Sequence, residues 1–283
     1  MKSRWTWGLL PLLAAAPGVA VGCAVMRVQG VGASAILQNV AALLVGGVGA
    51  WLYAAAPRGG RAWSRHAGML LCAGLLLCTF LDAGLQGVHR WIRLGPLALN
   101  AAFLAVPAAL IGLDRRMREG RTYEACAWGV AVGALLLLQP DASMASALAL
   151  AAVPVLLQGQ KNRAARWVAL CALFALAVAS WLRPDPLEPV AHVEGMLSLA
   201  WTCGPGYGLL SLLSLAILFI PFALGARRQP ARALCAGNAL LFAGLLLSTR
   251  FGAFPVPVLG GGASPILGYL LAAAHAVRRM RAD

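Results

Sequence analysis

The stretch Arg183-Pro-Asp-Pro-Leu-Glu-Pro-Val-Ala-His-Val-Glu-Gly195 decides how the chain is read. It carries Asp185, Glu188 and Glu194, three of nine acidic residues in 283, and one of four histidines. Its prolines, Pro184, Pro186 and Pro189, forbid a regular helix there. The runs on either side, 165–182 and 206–224, are apolar and long enough to cross a bilayer core, which takes about 20 residues per helix. A polar island between two such runs predicts a loop outside the membrane, over a working site.

Composition agrees. At 61% hydrophobic and 11% charged, with mean hydropathy +0.79, the chain is not a water-soluble domain. A net charge of +14 would suit nucleic acid. The arginines, however, fall in small clusters between apolar runs, as do loop charges that orient a membrane protein. Met1-Lys-Ser-Arg runs into an apolar stretch with no small-residue cleavage site, so it reads as the start of a first span. Six of the seven cysteines lie in apolar runs and Cys203 lies near an outer edge; none has metal spacing, and they read as inert small hydrophobes.

Ten spans are expected, at about 5–26, 34–55, 67–86, 97–113, 123–139, 143–158, 165–182, 206–224, 232–249 and 265–277. With the N-terminus inside, eighteen of the 23 basic residues fall on inner segments. Arg27, Arg90, Arg93, Arg183 and Arg250 face outward. That bias favours ten crossings with both termini cytoplasmic. The expected fold class is therefore all-α, a polytopic bundle forming one helical membrane domain over residues 1–283. Pro17 and Pro107 lie inside spans and are expected to kink them.

The unusual residues gather on the outward side. Gly87-Val-His-Arg-Trp-Ile-Arg-Leu-Gly-Pro96 holds Arg90 and Arg93 against the usual charge bias, with Trp91 between them. They read either as interfacial residues, snorkelling arginines beside a belt tryptophan, or as guanidinium forks for a phosphate. Gln139-Pro-Asp-Ala-Ser143 is tight enough to make a helical hairpin, with Asp141 either a cap or a direct participant. The 251–265 connection has four glycines and three prolines. Such backbone is costly in lipid unless it is buried or lines a wet cavity; a plain flexible loop is the alternative. Asp82 is read as an intramembrane acid with Arg90 or Arg93 as partner. His192 with Glu188 and Glu194 lacks a recognisable metal spacing.

Taken in order, these segments resemble the SEDS family (shape, elongation, division and sporulation) of FtsW/RodA type. Gly87 to Gly95 is similar to the family's Gly-Ala-Arg-Arg-Trp-Ile-x-Leu-Gly. Gln139-Pro-Asp141 matches the start of its Gln-Pro-Asp-Leu-Gly-Thr-Ala hairpin, and Asp185-Pro-Leu falls where its large outer loop has an Asp-Pro. Pro255 to Gly261 is similar to Pro-Phe-Val-Ser-Tyr-Gly-Gly. The resemblance implies a peptidoglycan glycosyltransferase of the bacterial cytoplasmic membrane. Such an enzyme polymerises lipid II, an undecaprenyl-pyrophosphate-linked disaccharide-pentapeptide, beside a class B penicillin-binding protein. It implies Asp185 as the catalytic acidic residue, aligned to the loop aspartate of the family. Substrate would be held by Arg90, Arg93, Trp91, Asp141 and His192, with the Gly260-Gly261 turn as backbone support. No cofactor is evident, and a divalent cation is left open.

The departures are specific. The chain is short, and His89 stands where the family has the first arginine of its pair. Asn100-Ala-Ala-Phe103, then Val106, replaces a Gln-Pro-Ser-Glu segment and a lysine three residues beyond the glutamate. Val258-Leu259 replaces Ser-Tyr, and Gly262 replaces a serine. Charges lost as a pair leave no orphan, so the fold need not suffer; catalysis is the point in question. Two further function classes are therefore weighed: a non-catalytic scaffold of SEDS type and a lipid or small-solute transporter. A transporter would show an inverted repeat and broken mid-membrane helices, and neither is clear here.

Overall fold

The computed structural model describes residues 6–56, 67–95, 97–159 and 161–281. The expected inner charges Lys2, Arg4, Arg58, Arg61 and Arg65 lie outside them. Among the described residues ten long helices form. They are α1 (Thr6–Val28), α2 (Ala33–Ala55), α3 (Ala67–Cys78, extended by a 3₁₀ turn Thr79–Leu81), α4 (Ala101–Arg118), α5 (Thr122–Leu138) and α6 (Ala142–Leu157). After these come α7 (Arg163–Trp181), a short α8 (Met196–Thr202), α9 (Pro205–Ala226), α10 (Arg232–Ser248) and α11 (Ala263–Met280). Four of them, α1, α2, α7 and α9, are long and apolar enough to cross a membrane, and four more, among them α5, α6 and α10, are shorter apolar helices. The protein is a polytopic all-α membrane protein.

The helices sort into two compact units. The first contains α1, α2, α8, α9, α11 and the end of α10; the second contains α3 to α7 and the start of α10. In the first, α11 packs on α2 and α1, and α9 packs on α1 and α8. In the second, α7 packs on α5 and α6, and α4 packs on α3, α5 and α6. Pro17, Pro107 and Pro154 all sit inside helices. Neighbouring helices supply the packing that lets such positions persist.

Two expected boundaries move. The third helix stops at the 3₁₀ turn rather than at 86, and the fourth begins at 101 rather than 97. Between them Trp91–Leu94 (β1) and Leu97–Asn100 (β2) form an antiparallel ribbon, with Trp91 opposite Asn100 and Arg93 opposite Ala98. Gly95, at φ +61°, takes the left-handed turn conformation that glycine adopts without penalty. Asp82 lies just past the 3₁₀ turn, half-exposed, rather than within the third helix. Arg115, Arg116 and Arg118, expected in a loop, occupy the last turn of α4, where the macrodipole favours cations.

Close approach of α1 to the Leu259 backbone depends on a glycine. A Cβ on Gly22 of α1 would stand 2.1 Å from the Leu259 carbonyl oxygen, a backbone atom that cannot swing away. Gly49 in α2 has open space around it. G22A is expected to destabilise by about 2 kcal/mol or more, in the range of overpacked cores. G49A should be neutral, or stabilise by up to about 1 kcal/mol through helix propensity. Thermal unfolding of both variants in detergent, followed by circular dichroism, checks the contrast.

Candidate functional site

The ribbon places Arg90. Its carbonyl accepts the Ala101 N–H at 2.9 Å, so the residue before β1 is tied to the first residue of α4. Asn100, which ends β2, caps the same helix by accepting the Ala102 N–H at 3.1 Å. Fastened in this way, Arg90 turns its guanidinium inward. Its Nη2 donates to Asp185 Oδ2 at 2.7 Å and also to the Pro140 carbonyl. The two side chains are 6% and 29% exposed. A buried guanidinium is tolerable only when paired and hydrogen-bonded, and here a carboxylate 95 positions along the chain supplies the partner. Asp185 Oδ1 accepts the Leu187 N–H at 3.3 Å, which restrains the carboxylate from its own loop.

The Gln139-Pro140-Asp141 corner forms the floor. Gln139 is fully buried and donates from Nε2 to the Leu76 carbonyl at 3.1 Å and to Thr79 Oγ1 at 2.7 Å, locking the corner to the end of α3. Asp141 caps α6, accepting the Met144 N–H at 3.1 Å. Burial pushes the Asp141 carboxyl above the usual carboxylate range; the Arg90 charge and the Met144 N–H oppose this, and the Asp185 charge adds to it. The second unit thus brings together Arg90, Asp141 and Asp185. Arg93 is set apart. It is exposed on β1, 3.8 Å from Asp82, with 58% and 52% of the two side chains accessible. A pair that open to water contributes little. Trp91, half-buried, alternates with Ile92 on the same strand.

The first unit holds the other expected residues. Gly261 donates its N–H to the His192 carbonyl at 2.8 Å, and Val256 donates to the Val193 carbonyl at 3.1 Å, pairing the glycine turn with the 190–194 turn. A Cβ on Gly260 would lie 2.5 Å from the Val193 carbonyl oxygen, and one on Gly261 would lie 2.9 Å from His192 Cδ2. Leu259 donates to the Pro257 carbonyl at 2.8 Å around Val258, whose φ of +67° is rare for a β-branched residue. Gly260 donates to the Val256 carbonyl at 2.9 Å, and Gly262 to Asn39 Oδ1 at 2.8 Å. The amides from 259 to 262 are engaged by protein acceptors.

Asn39 was not among the expected site residues. It is buried in α2 and clamps the turn from both sides, since its Nδ2 also donates to the Gly260 carbonyl at 3.1 Å. A buried amide inside an apolar run was the available signal. Thr79 and the side chain of Gln139 were missed for the same reason. Around His192, Glu194 turns its carboxylate back to the Val190 N–H at 2.7 Å. Among the described residues no three His, Cys, Asp or Glu side chains converge as metal ligands. Asp185 faces a guanidinium, a poor environment for a resident dication, so no step is assigned to one.

The Asp141 shift has a sign that can be measured. A carboxyl raised on folding stabilises the fold below its unfolded value near 3.9, and that contribution is lost as pH rises through the higher folded value. D141N keeps the cap and removes the ionisation. The stability of the variant relative to the wild type should therefore rise between about pH 4 and pH 8. Melting temperatures across that range test this; a flat or falling difference would contradict it.

No protein-family model and no curated protein sequence matches the chain. Solved structures do. The chain is similar to the rod shape determining protein RodA of Thermus thermophilus, at 22% identity and TM-score 0.70, covering 97% of this chain and 96% of that one. An Asp→Ala variant of the same protein aligns at 23% identity and TM-score 0.70, covering 97% of each chain. A chain from a peptidoglycan synthase complex, described for the structural coordination of polymerization and crosslinking, aligns at 22% identity and TM-score 0.61 over 96% of both chains. Likeness at this level of identity is likeness of fold: the chain is a multi-pass helical membrane protein built on the RodA architecture.

Proposed function

We propose that the protein is a SEDS-type peptidoglycan glycosyltransferase of the bacterial cytoplasmic membrane, with both termini on the cytoplasmic side, and that it polymerises lipid II at the outer face. The buried Arg90–Asp185 pair carries the reading, set above the Gln139-Pro-Asp141 corner in a chain with the RodA fold. Glycosyl transfer from a lipid pyrophosphate needs a base to take the proton of the acceptor sugar hydroxyl as its oxygen attacks the donor anomeric carbon. The Asp185 carboxylate takes that role. It also needs positive charge where the pyrophosphate leaves. Arg90, tied at its backbone and free of rotamer choice, supplies it, and Arg93 with Trp91 meets the headgroup at the exposed edge of the ribbon. Asp141 fixes the start of α6 beneath the pair. His192, Gly260 and Gly261 contribute by holding the outer turn of the first unit in shape. A class B penicillin-binding protein is the proposed partner, in keeping with the coordinated polymerization and crosslinking of the related synthase complex.

One observation favours a second reading. Phe103 and Val106, at positions where the SEDS resemblance expects a glutamate and a lysine, are buried and apolar. A chain that kept the fold and lost the chemistry would scaffold wall synthesis instead.

Purified full-length protein with labelled lipid II separates the two. The wild type is expected to form glycan strands; D185N should lower the rate by roughly 10²–10⁴-fold, the usual worth of a positioned base, with its far-ultraviolet spectrum unchanged. R90Q should fall at least about tenfold. Wild-type rates from D185N would overturn the proposed catalytic role. A wild type that makes no polymer, even with the penicillin-binding protein present, would favour the scaffold.

A further inference from the structure

The opposite, arginine-rich end of the second unit holds a group of charges that the proposed reaction does not use. Segments 114–124 and 161–166 contain seven basic and three acidic residues. They belong to adjoining turns: Gln158 Nε2 donates to Asp114 Oδ1 at 3.1 Å, and a Cβ on Gly159 would stand 2.6 Å from Met117 Cε. Each of the three carboxylates already has a cation. Asp114 pairs with Arg118 at 2.9 Å, Glu119 with Arg115 at 2.9 Å, and Glu124 is shared by Arg116 and Arg121. An excess of four positive charges is left, weighted toward the start of α7.

That helix start has the wrong complement for its own dipole. Its first turn contains no acidic residue, and Asn162 makes no side-chain cap. Arg163 and Arg166 nevertheless stand where the positive end of the macrodipole disfavours cations and favours anions. Arg166 is 5% exposed. Its Nη1 reaches the last carbonyls of α6, Leu156 and Leu157, at only 3.3 and 3.4 Å, and its buried Nε has no hydrogen-bond partner. Tyr123 in the first turn of α5 and Trp167, next to Arg166 on α7, are both exposed, and Val168 after it is exposed and apolar. Aromatic residues at such positions mark the depth of the lipid headgroups.

We propose that this end of the second unit binds the phosphodiester of an anionic glycerophospholipid, held by Arg121, Arg163 and Arg166 at the start of α7, with Trp167 and Tyr123 against its glycerol backbone. The charge excess selects an anion, and the continuity with exposed apolar and aromatic side chains selects a lipid over a free ion. Basic recesses between transmembrane helices bind anionic headgroups by the same physics.

Native mass spectrometry of the full chain released from nanodiscs tests the site, using mixtures of phosphatidylglycerol and phosphatidylcholine. One phosphatidylglycerol should stay bound in preference to phosphatidylcholine by about tenfold or more. R121Q/R163Q should abolish that preference, whereas R227Q/R250Q, which removes two charges elsewhere, should retain it. In the wild type, brominated phosphatidylglycerol should quench a tryptophan signal that W167F removes, and brominated phosphatidylcholine should not. Equal retention of the two lipids, equal loss in both double variants, or displacement by millimolar inorganic phosphate would each overturn the proposal. The quenching arm uses the wild-type chain, so misfolding of a variant cannot shield the idea. None of these readouts depends on lipid II polymerisation.

Discussion

A guanidinium with almost no access to water, answered by one carboxylate from a loop 95 residues away, is the contact on which this end of the second unit depends. Arg90 cannot be buried uncompensated, because an unpaired ion in a low-dielectric setting is far more expensive than any single packing defect. The segment after α7 must therefore fold back far enough to deliver Asp185. The ribbon must hold Arg90 still, and the Gln139 corner must offer a carbonyl beneath it. Three separate stretches of sequence are thus constrained by the needs of one side chain. The same placement leaves the carboxylate 29% accessible while it remains oriented.

The first unit solves a different problem with the opposite means. Its glycine turn carries no charge, and its amides are satisfied one by one by carbonyls of residues 192 and 256–257 and by the side chain of Asn39. Glycine is required at 260 and 261 because the 190–194 turn approaches too closely for a Cβ. Where the second unit fixes an ion pair electrostatically, the first fixes a loop sterically. The glycines are thus the condition for two turns to lie against one another.

Much of this was legible in the sequence. Hydropathy and the distribution of arginines gave ten long helices, because both follow from the bilayer and not from tertiary detail. The proximity of Arg90 and Asp185 was foreshadowed by polar residues on the disfavoured side of an apolar chain. The ribbon was not legible: Trp-Ile-Arg-Leu and Leu-Ala-Leu-Asn are short and apolar, and a run of that kind extends equally well into the following helix. Only the pairing of the two strands across Gly95 settles the matter. Asn39, Thr79 and Gln139 escaped for a related reason, since a single amide or hydroxyl declares its partner only once the helices have packed. The separation of Arg93 from Arg90 likewise depends on strand alternation, which no helical reading could anticipate.

Arg90 and Asp185 act as one unit, and a double-mutant cycle reads this directly. The free energies of unfolding of wild type, R90Q, D185N and R90Q/D185N in detergent give the coupling between them. Residues sharing a buried charge-assisted hydrogen bond should show a coupling of about 1–3 kcal/mol, with the double variant more stable than the sum of the single losses predicts. Strict additivity, with no coupling beyond about 0.3 kcal/mol, would mean that the two side chains do not hold one another in the folded protein.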